Sequence, residues 1–124
     1  MKKLLFIPLL LILLTACNGI DKNLQTKGEE VVKIIHNSHE TLQTISDEDS
    51  DKVFSFFTEY PFSYLEDNPT KEQEFIFNIE YLETVNNIYI MSISNKDQEK
   101  AEENLSKYKE ILSELENEFN ITVN

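Results

Sequence analysis

The sequence predicts an all-α fold, a small bundle of three or four helices behind a short N-terminal export signal. Three observations predict it. Apolar residues recur at steps of four and three along separate segments, the spacing that lines one face of a helix. Those segments are divided by stop signals at 47–51, 68–70 and 94–97. The chain has 124 residues, which bounds it to one domain.

Residues 1–16 stand apart from the fold. Met1-Lys2-Lys3 is a basic start, and 4–14 is almost continuously apolar with Pro8 inside it. A run of that length is a signal-peptide hydrophobic region and is too short for a stable span. Thr15 and Ala16 supply the small residues that a cleavage site requires. Leu14-Thr15-Ala16-Cys17 resembles the lipobox of bacterial lipoproteins. The resemblance covers residues 1–17. It implies cleavage between Ala16 and Cys17 and a diacylglyceryl group on the Cys17 thiol. It also implies acyl chains such as palmitate, with an N-acyl chain as a further option. The address it implies is the extracytoplasmic face of the cell membrane. Cys17 is the single cysteine and has no partner for an intramolecular disulfide. Each buried methylene contributes about 0.8 kcal/mol, so one chain binds reversibly and two or more hold.

The division expected is a signal at 1–16, a lipidated cysteine with a short polar tether at 17–23, and a helical domain at 24–124. The first helix is predicted over 24–45. Leu24, Gly28, Val31, Ile35, Ser38, Leu42 and Ile45 fall on one face, and Val32 and Ile34 widen it. Gly28 costs that helix about 1 kcal/mol against Ala; either another helix approaches closely there, or the helix starts after it. The acidic run 47–51 interrupts the pattern, and Ser46 or Ser50 is placed to cap a helix over 52–60. Val53, Phe56, Phe57 and Tyr60 would face inward there. Pro61 ends that helix, and 62–65 is expected to form a short helical turn.

Thr70 with Gln73 has the spacing of a capping box. Phe75, Ile79, Leu82, Asn86, Tyr89 and Ile93 then continue the four-three rhythm. Residues 87–94 also alternate as a strand would, but a lone strand has no partner, which favours helix. A turn at 94–97 leads to a helix over 97–119, capped by Ser94 or Asp97. Ala101, Leu105, Tyr108, Leu112, Leu115 and Phe119 form its stripe, with Lys and Glu opposite. The last two helices are expected to form an αα-hairpin, with the first packed across it.

Removal of Lys2 and Lys3 with the signal leaves 9 basic against 23 acidic residues, a net charge of −14. That balance argues against nucleic acid and anionic headgroups as partners. The absence of Arg and the abundance of Lys, Asn, Ile and Glu resemble the usage of AT-rich, low-GC Gram-positive genomes.

The candidate sites are few. His36 and His39 lie three apart on the first helix, with Glu40 four after His36. They are weak metal candidates, because zinc sites use three or four protein ligands. Asp47, Asp49 and Asp51 alternate as an EF-hand loop does. The sixth position is Lys52 and the twelfth Thr58, where Gly and Glu are required. Phe54, Phe56, Phe57, Tyr60, Phe62 and Tyr64 put six aromatics into eleven residues. Phe54, Phe57, Tyr60, Phe62 and Tyr64 are the candidate binding surface, for a partner or a glycan. The competing reading is that they fill the core. No nucleophile motif and no phosphate loop occurs, and the expectation is a protein without catalytic residues or cofactor.

The expected function is therefore a membrane-anchored, non-enzymatic interaction module whose partner is another envelope protein or cell-wall material. A small-molecule or glycan-binding lipoprotein using 54–64 is an alternative. A host-exclusion or immunity lipoprotein of a mobile element is another, by analogy of size and address.

Overall fold

A computed structural model describes residues 19–61 and 68–123. The signal region, Cys17, Phe62 and Tyr64 lie outside these described residues, as does the turn expected at 62–65. Four helices follow in order: α1 (Lys22–Thr41), α2 (Asp47–Glu59), α3 (Lys71–Ser94) and α4 (Gln98–Phe119). The described residues form an all-α bundle, and residues 87–94 are helical. Among them no helix is long and apolar enough to cross a membrane.

The chain entry sets α1 earlier than expected. Asp21 caps it, its carboxylate accepting from the N–H groups of Asn23 (3.0 Å) and Leu24 (3.3 Å). An acidic residue just before an apolar-periodic run is a readable start signal. The far end closes at Thr41, not Ile45. Leu42 takes a left-handed conformation, φ 54°, as C-cap. Its N–H donates to the His39 carbonyl (3.3 Å), and the Gln43 N–H donates to the Ser38 carbonyl (3.2 Å). The helix is thereby closed off, and Ile45 falls in the connection.

The acidic run is likewise the first turn of α2 and not a break before it. Ser46 is the N-cap, accepting from the Asp49 N–H at 3.2 Å. Asp47, Glu48 and Asp49 sit where the helix dipole favours negative charge. α2 ends at Glu59, just before Pro61. It runs antiparallel along α1. Lys52 lies 3.8 Å from Glu30, and Lys27 lies 2.7 Å from Glu59. Both pairs are solvent-exposed and add little to stability. Burial of Val53 and Phe56 holds the helix in place.

The capping box of α3 is complete. The Gln73 N–H donates to Thr70 Oγ1 (3.1 Å), and the Thr70 N–H donates to Gln73 Oε1 (2.9 Å). α4 starts at Asp97, whose carboxylate accepts from the Lys100 N–H at 3.1 Å, so Asp97 and not Ser94 is the cap. α3 and α4 pack along their length as an antiparallel hairpin, and α1 lies against α3. Leu24, Val31, Val32 and Ile35 from α1 meet Phe75, Ile79, Leu82 and Val85 from α3. Tyr108, Ile111, Leu115 and Phe119 close the core from α4. Gly28 is the point of closest approach, since a Cβ there would lie 2.5 Å from the Phe75 ring.

Candidate functional site

The two histidines sit where α1, α3 and α4 meet, and the Nδ1 atom of each is engaged in a polar layer. His36 Nδ1 lies 2.9 Å from the Tyr108 hydroxyl, and its Nε2 lies 3.5 Å from Glu40. Burial, together with the charges of Glu40 and Glu116, holds the Tyr108 hydroxyl well above the usual tyrosine range. The Glu40 carboxylate beside Nε2 favours the imidazole proton there, which leaves Nδ1 to accept from the Tyr108 hydroxyl. His39 takes the other tautomer. Its Nδ1–H donates to Asn86 Oδ1 (3.0 Å), and Asn86 Nδ2 donates to Ser38 Oγ (3.3 Å). The Ser38 hydroxyl then donates to the Gln43 carbonyl. This relay ends on the residue that closes α1, so the buried Asn86 helps define where that helix stops.

His39 also stacks on Tyr108, ring centroids 3.7 Å apart and nearly parallel, and tilts against Tyr89 at 5.0 Å. Burial lowers its pKa, outweighing the Asn86 hydrogen bond and the Glu40 charge that raise it; His36 and Lys109 lower it slightly. The His36 and His39 rings are 6.3 Å apart. Among the described residues no group of three His, Cys, Asp or Glu is placed to share an ion. The geometry gives the two histidines a structural role, in which they satisfy buried polar atoms between helices.

The aromatic segment divides. Phe56 is buried, and Phe57 and Tyr60 are half-buried against the core. Phe56 contacts both, at 5.1 Å and 5.3 Å between centroids. Phe54 points away, 74% exposed. The described part of 54–64 thus mostly supplies core, with a single aromatic projecting to solvent.

The largest change from the expected pattern is at the free end of the hairpin. Tyr89 and Ile93 extend the α3 stripe that receives α1, and Leu105 and Ala101 extend the α4 stripe from Tyr108. α1 ends beside Tyr89, so this groove continues past it, and among the described residues no helix is seated in it. The result is a cleft of about 400 Å³ lined by Tyr89, Ser92, Ile93, Lys96, Ala101 and Leu105, among others. Ile93, expected as core, is 43% exposed for this reason. Nothing in the periodicity of α3 marks the change. The readable signal is composition: residues 84–95 contain no charge at all, in a chain where charged residues make up 27%.

The cleft and the N-terminus lie at opposite ends. Gly19 sits against Lys71, where an added Cβ would lie 3.4 Å from the Lys71 Cβ. The Asp21 N–H donates to Glu72 at 3.1 Å, and Gln25 Nε2 donates to the Phe119 carbonyl at 2.8 Å. The chain therefore enters beside the start of α3 and the end of α4. The 24 residues of α3, at 1.5 Å each, carry the cleft about 35 Å from that entry. No protein-family model, curated protein or solved structure matches the chain.

Proposed function

We propose that the chain is a lipid-anchored, extracytoplasmic interaction module that binds an envelope protein in the cleft at the free end of its α3–α4 hairpin. The observation that carries this reading is the polarity of the bundle. The chain enters at one end, and the groove, lined by Tyr89, Ile93, Ala101 and Leu105 together with Lys96, Asp97 and Glu102 and open among the described residues, lies at the other, where a tether on Cys17 would hold it away from the lipid surface. The groove continues the line of α1, so the matching ligand is a short helix presenting small aliphatic side chains, as in helix-in-groove recognition. Leu42 supports the same end of the molecule. It is 46% exposed and left-handed, a conformation that favours glycine.

Two measurements test the reading. Cys17→Ala should leave the membrane fraction and lose label from a fatty-acid probe; retention of both overturns the anchor. A photo-crosslinking residue at Ile93 of the full chain, in cells, should trap one dominant envelope protein. The same probe at exposed Ser113 should not trap it, and Cys17→Ala should abolish the adduct. Equal trapping at both positions, or none at Ile93, overturns the cleft. The cleft volume also suits a small apolar ligand. That alternative requires a ligand-dependent rise in Tm.

A further inference from the structure

His39 joins the polar layer to the cleft. Tyr89 lines the cleft and also meets the His39 ring, at 5.0 Å between centroids. The His39 Nδ1–H donates to Asn86, Asn86 donates to Ser38, and Ser38 donates to the Gln43 carbonyl. One imidazole therefore braces a wall of the cleft and, through two side chains, the end of α1 beside it. These bonds suit a neutral ring, whose Nδ1–H is committed to Asn86 and whose face lies 3.7 Å from Tyr108. A second proton brings a charge into that stack. The groups facing it are mixed: His36 and Glu40 from α1, the neutral Asn86 and Tyr89 from α3, Tyr108 and Lys109 from α4. Glu40 favours the cation, His36 and Lys109 oppose it, and loss of water opposes it most. The ring is half-buried, so its edge is within reach of water. Turned outward, the cation regains water and stays in the last turn of α1, where the helix dipole favours positive charge.

We infer that His39 is a proton switch for the cleft: neutral, it holds the free end of the bundle in its binding shape, and protonated, it swings out and the cleft releases its ligand. Release of a ligand rests on the cleft reading; the movement at the end of α1 does not. With the ring turned outward, Tyr89 loses its ring contact and Asn86 loses its donor. The relay to Gln43 slackens, and α1 frays beside the cleft. The proton affinity of the folded ring is depressed, so the neutral form prevails at neutral pH. The protonated form gains about tenfold on it for each unit of pH. By linkage, a ligand that binds only the neutral form depresses that proton affinity further.

Two readouts on the full-length chain test the switch, each between about pH 7.5 and about 5, above the usual carboxylate range. The first needs no ligand. The Gln43 N–H donates to the Ser38 carbonyl at the end of α1, and its hydrogen-exchange protection factor should fall in acid, by up to about tenfold per pH unit. The midpoint should match that of the His39 ring titrated by NMR in the same wild-type sample. His39→Gln keeps an amide able to donate to Asn86 and should hold its protection; His36→Gln should lose it as wild type does. The second readout is the adduct formed in cells by the photo-crosslinking residue at Ile93. It should decline over the same range and persist in His39→Gln. Constant protection in wild type, mismatched midpoints, or an equal loss in His39→Gln would overturn the switch. So would a neutral-pH adduct at Ile93 that survives in acid. No adduct at any pH, with protection still switching through His39, overturns the cleft reading and leaves the proton switch at the end of α1 standing.

Discussion

Replacing Gly28 with Ala sets two effects of opposite sign against each other. In an exposed helix interior Ala is favoured over Gly by about 1 kcal/mol, because Gly loses more backbone freedom on folding. At Gly28 the added methyl would lie 2.5 Å from two carbons of the Phe75 ring and 3.0 Å from Ile79 Cδ1. Ordinary carbon contacts are about 3.5–4.0 Å, so α1 or Phe75 must move by about an ångström. Phe75 has little room: it is fully buried and packs on Phe119 at 5.2 Å between centroids. Overpacking of this kind costs about 1–3 kcal/mol. Subtracting the helical gain leaves a net loss of roughly 1–2 kcal/mol at the upper end of that range. For a domain of about 100 residues this lowers Tm by roughly 5–15 °C. The assay is thermal unfolding by circular dichroism of residues 17–124 carrying Cys17→Ser, with and without Gly28→Ala. Phe75→Leu makes the test specific. The double variant should be more stable than the two single losses predict, with a coupling of at least about 0.5 kcal/mol. An unchanged or raised Tm in Gly28→Ala, or strict additivity with Phe75→Leu, would refute the close approach of α1 to α3.

Two further outcomes follow from the polar layer and from the end of α1. His39 has a folded pKa below its usual 6.5 because it is buried, so in the window below 6.5 the unfolded chain binds the extra proton more readily. Its contribution to stability is complete above pH 6.5 and is lost as pH falls through the lowered folded value. In urea titrations from pH 7 to about 5, above the usual carboxylate range, His39→Gln should show a flatter decline than wild type; matching slopes would remove His39 as the cause. Leu42→Gly relieves a left-handed residue at a helix C-cap and should raise stability by up to about 1 kcal/mol. It should also weaken crosslinking from Ile93 if Leu42 belongs to the binding end. A lower Tm would mean that the Leu42 side chain contributes packing that its exposure conceals.

Much of the helical framework could be read from local chemistry. Thr70 and Gln73 make their reciprocal bonds within four residues, and Asp97 caps α4 from the position just before it. The stripes through Phe75, Ile79 and Leu82, and through Tyr108 and Leu115, coincide with the core. What escaped reading depended on distant partners. Ile93 has the spacing of a core residue, and only the length of α1, which ends at Thr41, leaves it uncovered. That end depends on Ser38 and on Asn86, 48 residues later. The acidic run at 47–51 looks like a break because its residues are poor in apolar side chains, whereas the helix dipole makes them a good first turn. The histidines offered a metal spacing, but the Nδ1 atoms are engaged by Tyr108 and Asn86, which no local pattern connects to them.

The order in which the polar layer is assembled has a consequence for synthesis. α1 emerges from the ribosome before any of the hairpin that receives it. His39 waits 47 residues for Asn86, His36 waits 72 for Tyr108, and Gln25 waits 94 for the Phe119 carbonyl. The α3–α4 hairpin, by contrast, joins neighbours across a short turn and can form as soon as it is made. The growing chain therefore carries an amphipathic first helix without its seat on α3 until residues 71–94 have been made. Any factor that meets the nascent protein meets the apolar stripe of α1 uncovered. The polar layer closes last, when Tyr108 reaches His36 and the Phe119 carbonyl reaches Gln25.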